Sequence, residues 1–257
     1  MASKITICAL NTFPVKGMSV QTHESIQVSA GKNFPLDRSW AIEAGAKKFD
    51  AAAPAYLPKT AFAQLMSHEK IAGLDTNLDA SGGNPVLTIN RDGRQIARGD
   101  LSTPVGRQII EQFMAAYMKD DLRASPRVVH AEGHNFTDVP AKFISILNLA
   151  SVREVERVTG KPLDPLRFRA NIHIDGAQPW AEFGWLGKTL QVEGTPAFRV
   201  AERIKRCAAI SVNPQTAERD MNLPRILMSG FQHDDCGIYV SSTADLVLHI
   251  GQQITPE

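Results

Sequence analysis

The chain has 257 residues, 43% of them hydrophobic and 21% charged, with a formal net charge of +1. That length can bury a real core and that composition is not one of disorder, while the near-cancelled charge gives no ground for a nucleic acid or a membrane surface as main partner. Cys8, Cys207 and Cys236 are widely spaced with no Cys-x-x-Cys, which argues against a disulfide framework and a structural zinc site and favours a reduced, cytoplasmic setting.

From the N-terminus, residues 5 to 10 read as a strand that turns polar at Asn11-Thr12 before any signal-length apolar run develops. Lys16-Gly17 follows, a turn from which a lysine could contact a phosphate or merely meet solvent. Residues 25 to 29 form a second short strand, and residues 36 to 42 a third, with Leu36, Arg38, Trp40 and Ile42 on one face and Asp37 on the other. Residues 51 to 60 are an Ala/Pro-rich loop, and residues 61 to 72 a weak helical pattern through Phe62, Leu65 and Met66. Asp92-Gly93 marks a hairpin between residues 86 to 89 and 94 to 98. A helix then begins with Thr103 as cap and Pro104 in its first turn, and its apolar stripe is Val105, Ile109, Phe113 and Tyr117. The domain boundary is placed at Ser125-Pro126 and its approach, giving domains 1–122 and 123–257.

In the second domain, residues 127 to 130 and 143 to 147 read as strands around a polar loop. A short helix follows, with Ser151 and Glu154 spaced as a capping box and Gly160 closing it. Residues 167 to 175 read as one alternating strand: Phe168, Ala170, Ile172 and Ile174 face a core, while Arg167, Arg169, Asn171, His173 and Asp175 share the other face. In the same way Arg203, Lys205 and Cys207 share a face, and two cations would favour the thiolate of Cys207. Such a group is a nucleophile or a soft metal ligand; the alternative is a small buried hydrophobe. Short strands continue to residue 250. Many short strands with few helices point to a mostly β chain closing into a barrel. The dinucleotide, P-loop and nucleophile-elbow motifs are absent.

Three stretches in register, Arg-Phe-Arg-Ala-Asn-Ile at 167–172, Trp-Ala-Glu-Phe-Gly-Trp-Leu-Gly at 180–187 and Arg-Cys-Ala-Ala-Ile-Ser-Val-Asn-Pro-Gln-Thr at 206–216, resemble the MOSC domain family. Residues 13–16 and 36–40 are similar to the N-terminal β-barrel domain that accompanies MOSC in the amidoxime-reducing branch, and residues 233–239 to that branch's closing motif. The resemblance implies an α+β fold, a MOSC-type β-barrel preceded by a smaller N-terminal β-barrel. It implies a molybdenum cofactor, with Cys207 as molybdenum ligand and catalytic residue, and Lys16, Arg38, Asn148, Arg169, Asn171, Lys205 and Arg206 around the pterin and its phosphate. Arginine forks and a lysine point charge suit those oxygens. The implied activity is reduction of a small N-hydroxylated substrate, with electrons from a separate ferredoxin- or flavin-type reductase, since the chain carries no cysteine cluster. The alternative is a cofactor-binding or sulfur-carrier protein that uses a Cys207 persulfide.

Overall fold

The structure, a computed structural model, describes residues 4–44, 48–122 and 124–257. Among these residues the strands are β1 Ile5–Thr12, β2 Gln21–His23, β3 Ser25–Val28, β4 Trp40–Glu43, β5 Asp75–Asp79, β6 Val86–Arg91, β7 Arg94–Asp100, β8 Arg127–His130, β9 Ile144–Asn148, β10 Ile172–Asp175, β11 Thr189–Val192, β12 Thr195–Lys205, β13 Asp235–Ser242, β14 Leu246–His249 and β15 Gln253–Pro256. The helices are α1 Pro104–Tyr117, α2 Leu149–Thr159 and α3 Leu223–Phe231.

Seven strands close into a barrel in the order β10, β9, β13, β12, β11, β15, β1, with β1 pairing back onto β10 and β2 flanking β1. All these pairings are antiparallel except β9 with β10. The two-residue period of the strands sends Ile144 and Ile146 of β9, Ile172 and Ile174 of β10, Phe198 of β12 and Ile238 and Val240 of β13 into the barrel core. By the same period Ser145 and Tyr239 stand on the barrel's outer face. That outer face is where the site lies.

The expected boundary falls at Arg123, outside the described residues, and the chain crosses it in both directions. β1 completes the barrel of the C-terminal strands, and β8 pairs with β4. Residues 75–117 add a three-stranded sheet, β5 to β7, with α1 packed on β7.

Four local expectations are corrected. Only the first half of the stripe expected on α1 faces outward: Val105 is 67% and Ile109 42% exposed, while Gly106, Ile110 and Met114 are buried and Phe113 and Tyr117 pack against the core. The cause is a close backbone approach, because a Cβ on Gly106 would lie 2.0 Å from the Asp100 carbonyl oxygen, so the helix rolls its glycine face onto β7. In place of a helix over residues 61–72 there is a bridge at Phe62 and a 3-10 turn at Glu69–Gly73. Residues 167–175 are not one strand, since a 3-10 turn spans Pro165–Phe168, Arg169 is left-handed at φ 50°, and β10 starts only at Ile172. Finally, α2 is capped by Asn148, whose side chain accepts from the Ala150 N–H; the Ser151 hydroxyl instead donates to Glu182.

His173 on β10 is buried, and its Nε2 faces the Asn11 amide nitrogen at 3.4 Å. An amide NH2 can only donate, so the ring is neutral with Nε2 accepting. Burial pushes its pKa down from 6.5 to about 4, and Arg206 adds to that. A pKa depressed on folding gives stability that is complete above the unfolded value and is lost as pH falls through the folded one. Between pH 7 and pH 4 the fold should therefore lose about 3 kcal/mol through this group. Chemical denaturation at the two pH values should show that loss, and His173→Gln should remove most of it; an equal loss in the variant would assign it elsewhere.

A cationic cavity beside Cys207

Three neighbouring strands and the entry to a fourth carry one row of polar residues across the outer face of the barrel. Glu202 lies opposite Tyr239 and Tyr239 opposite Ser145, while Ser145 donates through N–H and hydroxyl to the side-chain Oδ1 of Asn171, just before β10, at 3.1 and 2.8 Å. Over this row sits a cavity of about 470 Å³. Its walls come from the loops after β1, from residues 59–65, from the loop between β8 and β9, and from the segments that enter β10 and leave β12.

Lys16, Arg38, Arg169, Asn171, Lys205, Arg206 and Cys207 all line it. Asn148 does not. Its side chain caps α2 and donates to the Gln178 carbonyl and to Glu182 Oε2 at 2.9 and 2.8 Å, so it braces the helix start behind the barrel wall. Asn171 lines the cavity with its amide already committed, accepting from Ser145 and donating to the Asn11 carbonyl at 3.1 Å.

The arginines are held by backbone. Arg38 and Arg169 stack on the Phe13 ring at 4.6 and 4.3 Å, and Arg38 donates to Asp37 Oδ2 at 2.5 Å and to the Arg169 carbonyl at 2.7 Å. The expectation that Asp37 turns away from Arg38 assumed a strand; Leu36 and Arg38 are in fact left-handed, which brings the two side chains together. Burial, reinforced by Arg38, lowers Arg169 to about 9, still cationic at neutral pH. Arg206 donates to the Cys236 carbonyl at 2.7 Å and the Phe168 carbonyl at 2.8 Å, and burial lowers it too. Arg169 and Arg206 each keep Nη2 buried without a hydrogen-bond partner among the described residues.

Cys207 is a free, half-buried cysteine just before a 3-10 turn at Ala208–Ser211. Of the cations expected beside it, Arg203 stacks over Phe183 at 4.3 Å and Lys205 meets Asp234 at 3.2 Å, while both still line the cavity. Lys59 lines the same cavity wall, and its ammonium is stabilised by Cys207. Burial alone would lower Lys59, but the hydrogen bond to Cys207 and the Asp138 carboxylate, 3.9 Å away, raise it above its ordinary value. Lys16 donates to Asp138 at 2.5 Å and to the Phe136 carbonyl at 2.8 Å. Neither Lys59 nor Asp138 has a local signal, as both sit in loops whose place is set by packing against the barrel. Cys236 is a core residue, fully buried among Leu147, Phe168 and Leu227, and burial raises its thiol to about 12.

Residues 133–255 match the MOSC domain family model. MOSC domains are associated with molybdenum-cofactor proteins. The matched segment runs from the loop between β8 and β9 into β15 and contains Asp138, Arg169, Asn171, Arg206 and Cys207, whereas β1, Lys16, Arg38 and Lys59 lie outside it. Among solved structures the chain is similar to the YuaD protein from Bacillus subtilis, at 10% identity over 97% of this chain and 94% of that one, with a TM-score of 0.44. Among curated proteins none matches the sequence. No helix among the described residues is long and apolar enough to cross a membrane.

Proposed function

We propose that the chain binds a molybdenum cofactor in this cavity, with Cys207 as metal ligand, and reduces N-hydroxylated small molecules. The observation that carries the reading is the pair of buried, unpartnered guanidinium nitrogens, Arg169 Nη2 and Arg206 Nη2, in the cavity that holds the free Cys207. A buried donor without a partner is costly, so these groups call for an anionic, oxygen-rich occupant. A soft thiolate beside them suits a metal that already carries sulfur ligands. The residues present therefore fit the group.

Arg38, Arg169 and Arg206 would hold its phosphate and pterin oxygens by charge-assisted hydrogen bonds, with Lys16 and Lys59 as further cations. Asn171 acts differently, locking the polar row of the floor through Ser145 and Asn11. When bound, the cofactor supplies the two-electron chemistry that cleaves an N–O bond. The three dispersed cysteines provide no cluster to relay electrons, so a separate ferredoxin- or flavin-type reductase supplies them.

The test is molybdenum and pterin content per chain in protein from a cofactor-making host, followed by amidoxime and hydroxylamine reduction with a chemical electron donor. Near-stoichiometric metal with turnover is expected. Loaded protein inert to every N-hydroxy compound would leave a cofactor carrier, and protein that never acquires metal or pterin would overturn the cofactor reading and leave only a Cys207 persulfide carrier.

A further inference from the structure

Among the cavity's acidic groups Asp138 is held differently from the rest. Asp37 is buried and accepts from the Phe13 N–H at 2.8 Å. The Asp138 carboxylate meets only ammonium groups among the described residues, Lys16 at 2.5 Å and Lys59 at 3.9 Å. Its side chain is 47% exposed, whereas that of Lys16 is 6% exposed. An ammonium buried to that degree needs an anion, and the one beside it is half exposed, with burial raising its pKa and Lys16 more than offsetting that to hold it ionised.

The loop that carries Asp138 is pinned at its start and tied beyond it by two exposed side-chain bonds, the Tyr56 hydroxyl to the Asp138 carbonyl at 2.9 Å and Lys142 Nζ to the Gly133 carbonyl at 3.0 Å, which an outward swing exchanges for water. It is anchored at Phe136, whose N–H donates to the Arg38 carbonyl at 2.6 Å and whose ring packs against Phe49 and Phe62. Past that anchor, Asp138, Pro140, Ala141 and Lys142 are exposed and belong to no strand or helix before β9. The same cavity holds the two unpartnered arginine nitrogens, so its cations outnumber the anions that serve them.

We propose that Asp138 is a resident placeholder: its carboxylate occupies, between Lys16 and Lys59, the place of an anionic group of the phosphate class on the cavity's occupant, and it swings outward with residues 137–142 when that group arrives. Exchange of one anion for another keeps the buried Lys16 paired throughout, and the displaced carboxylate goes to water. Lys59 keeps its place on the wall it shares with Cys207 and receives the ligand, which makes it a positioning residue for the cavity. The inference rests on reading the cavity as an anion site, and is independent of whether N-hydroxy compounds are reduced there.

The test is calorimetric binding of orthophosphate to the full chain prepared without cofactor. Asp138→Asn removes the competing charge and should tighten binding about tenfold. Asp138→Glu should restore the wild-type value, and adding Lys16→Met to Asp138→Asn should abolish the gain. Unchanged or weaker binding by Asp138→Asn, or no phosphate binding by either protein, would overturn the proposal. Wild-type protein provides a check that needs no variant, because tryptic cleavage after Lys142 should be faster in phosphate than in chloride of equal ionic strength. Equal rates would overturn it as well. Neither measurement uses turnover, so a chain that fails to reduce amidoximes leaves this result standing.

Discussion

Cys207→Ala is expected to lose more than about a hundredfold in molybdenum retention and in N-hydroxy reduction, since outer-shell partners of metal ligands alone cost 10–100-fold. The fold should be spared. Cys207 is half-buried, its backbone carbonyl still accepts from the Ile210 N–H, and its side chain belongs to none of the four hydrophobic clusters. A stability change below about 1 kcal/mol is therefore expected. Cys236→Ser should behave in the opposite way, because a hydroxyl buried in the apolar cluster of Leu147, Phe168 and Leu227 loses its hydration and should cost about 1–3 kcal/mol without changing metal content in the folded fraction. Metal analysis, urea denaturation and turnover on both variants give the result. If Cys207→Ala keeps its metal and activity while Cys236→Ser loses them, the ligand has been assigned to the wrong thiol.

What the sequence shows of this site is whatever depends on neighbours in the chain. The hairpin at Asp92-Gly93, the Thr103 and Pro104 helix start and the Gly160 stop are local chemistry, and each stands where its residues put it. Arg169, Asn171 and Cys207 are visible as polar residues interleaved with core positions and Arg206 only through the family motif it opens, and their gathering into one cavity follows from the closure of the barrel. Lys59 and Asp138 are illegible for the opposite reason, as their loops have no period and are placed by contacts such as Tyr56 with the Asp138 carbonyl, 82 residues apart. The rotation of α1 fails for a related cause. An apolar stripe is a sound guide only where side chains decide the contact, and here the backbone at Gly99 and Gly106 decides it. The left-handed residues Leu36, Arg38 and Arg169 break an alternation that pattern alone extends straight through them. Those turns are what aim two arginines at one phenylalanine ring.

Gly237→Ala is expected to cost about 2–4 kcal/mol of stability and to weaken anion binding in whatever protein still folds. Gly237 lies at φ 80° on β13, where the ladder with β12 pairs Arg203 with Ile238 and Lys205 with Asp235, so β13 carries an extra residue there. A Cβ at this bulge would sit 2.5 Å from the Ile146 carbonyl oxygen and 3.2 Å from Arg206 Nη2. The first contact is with the backbone of the neighbouring strand β9 and cannot yield cheaply. The second pushes on the guanidinium that the Cys236 and Phe168 carbonyls hold in the cavity wall, moving one of its two unpartnered donors. Gly133→Ala separates the two causes, because Gly133 is also left-handed, at φ 70°, but has nothing within 4 Å of a new Cβ. It should cost only about 1 kcal/mol, the backbone penalty alone, and leave phosphate binding unchanged. Urea midpoints and phosphate titrations on the two variants decide the matter. Equal losses would mean that the positive φ, and not the close approach of Ile146 and Arg206, is what requires glycine beside the site.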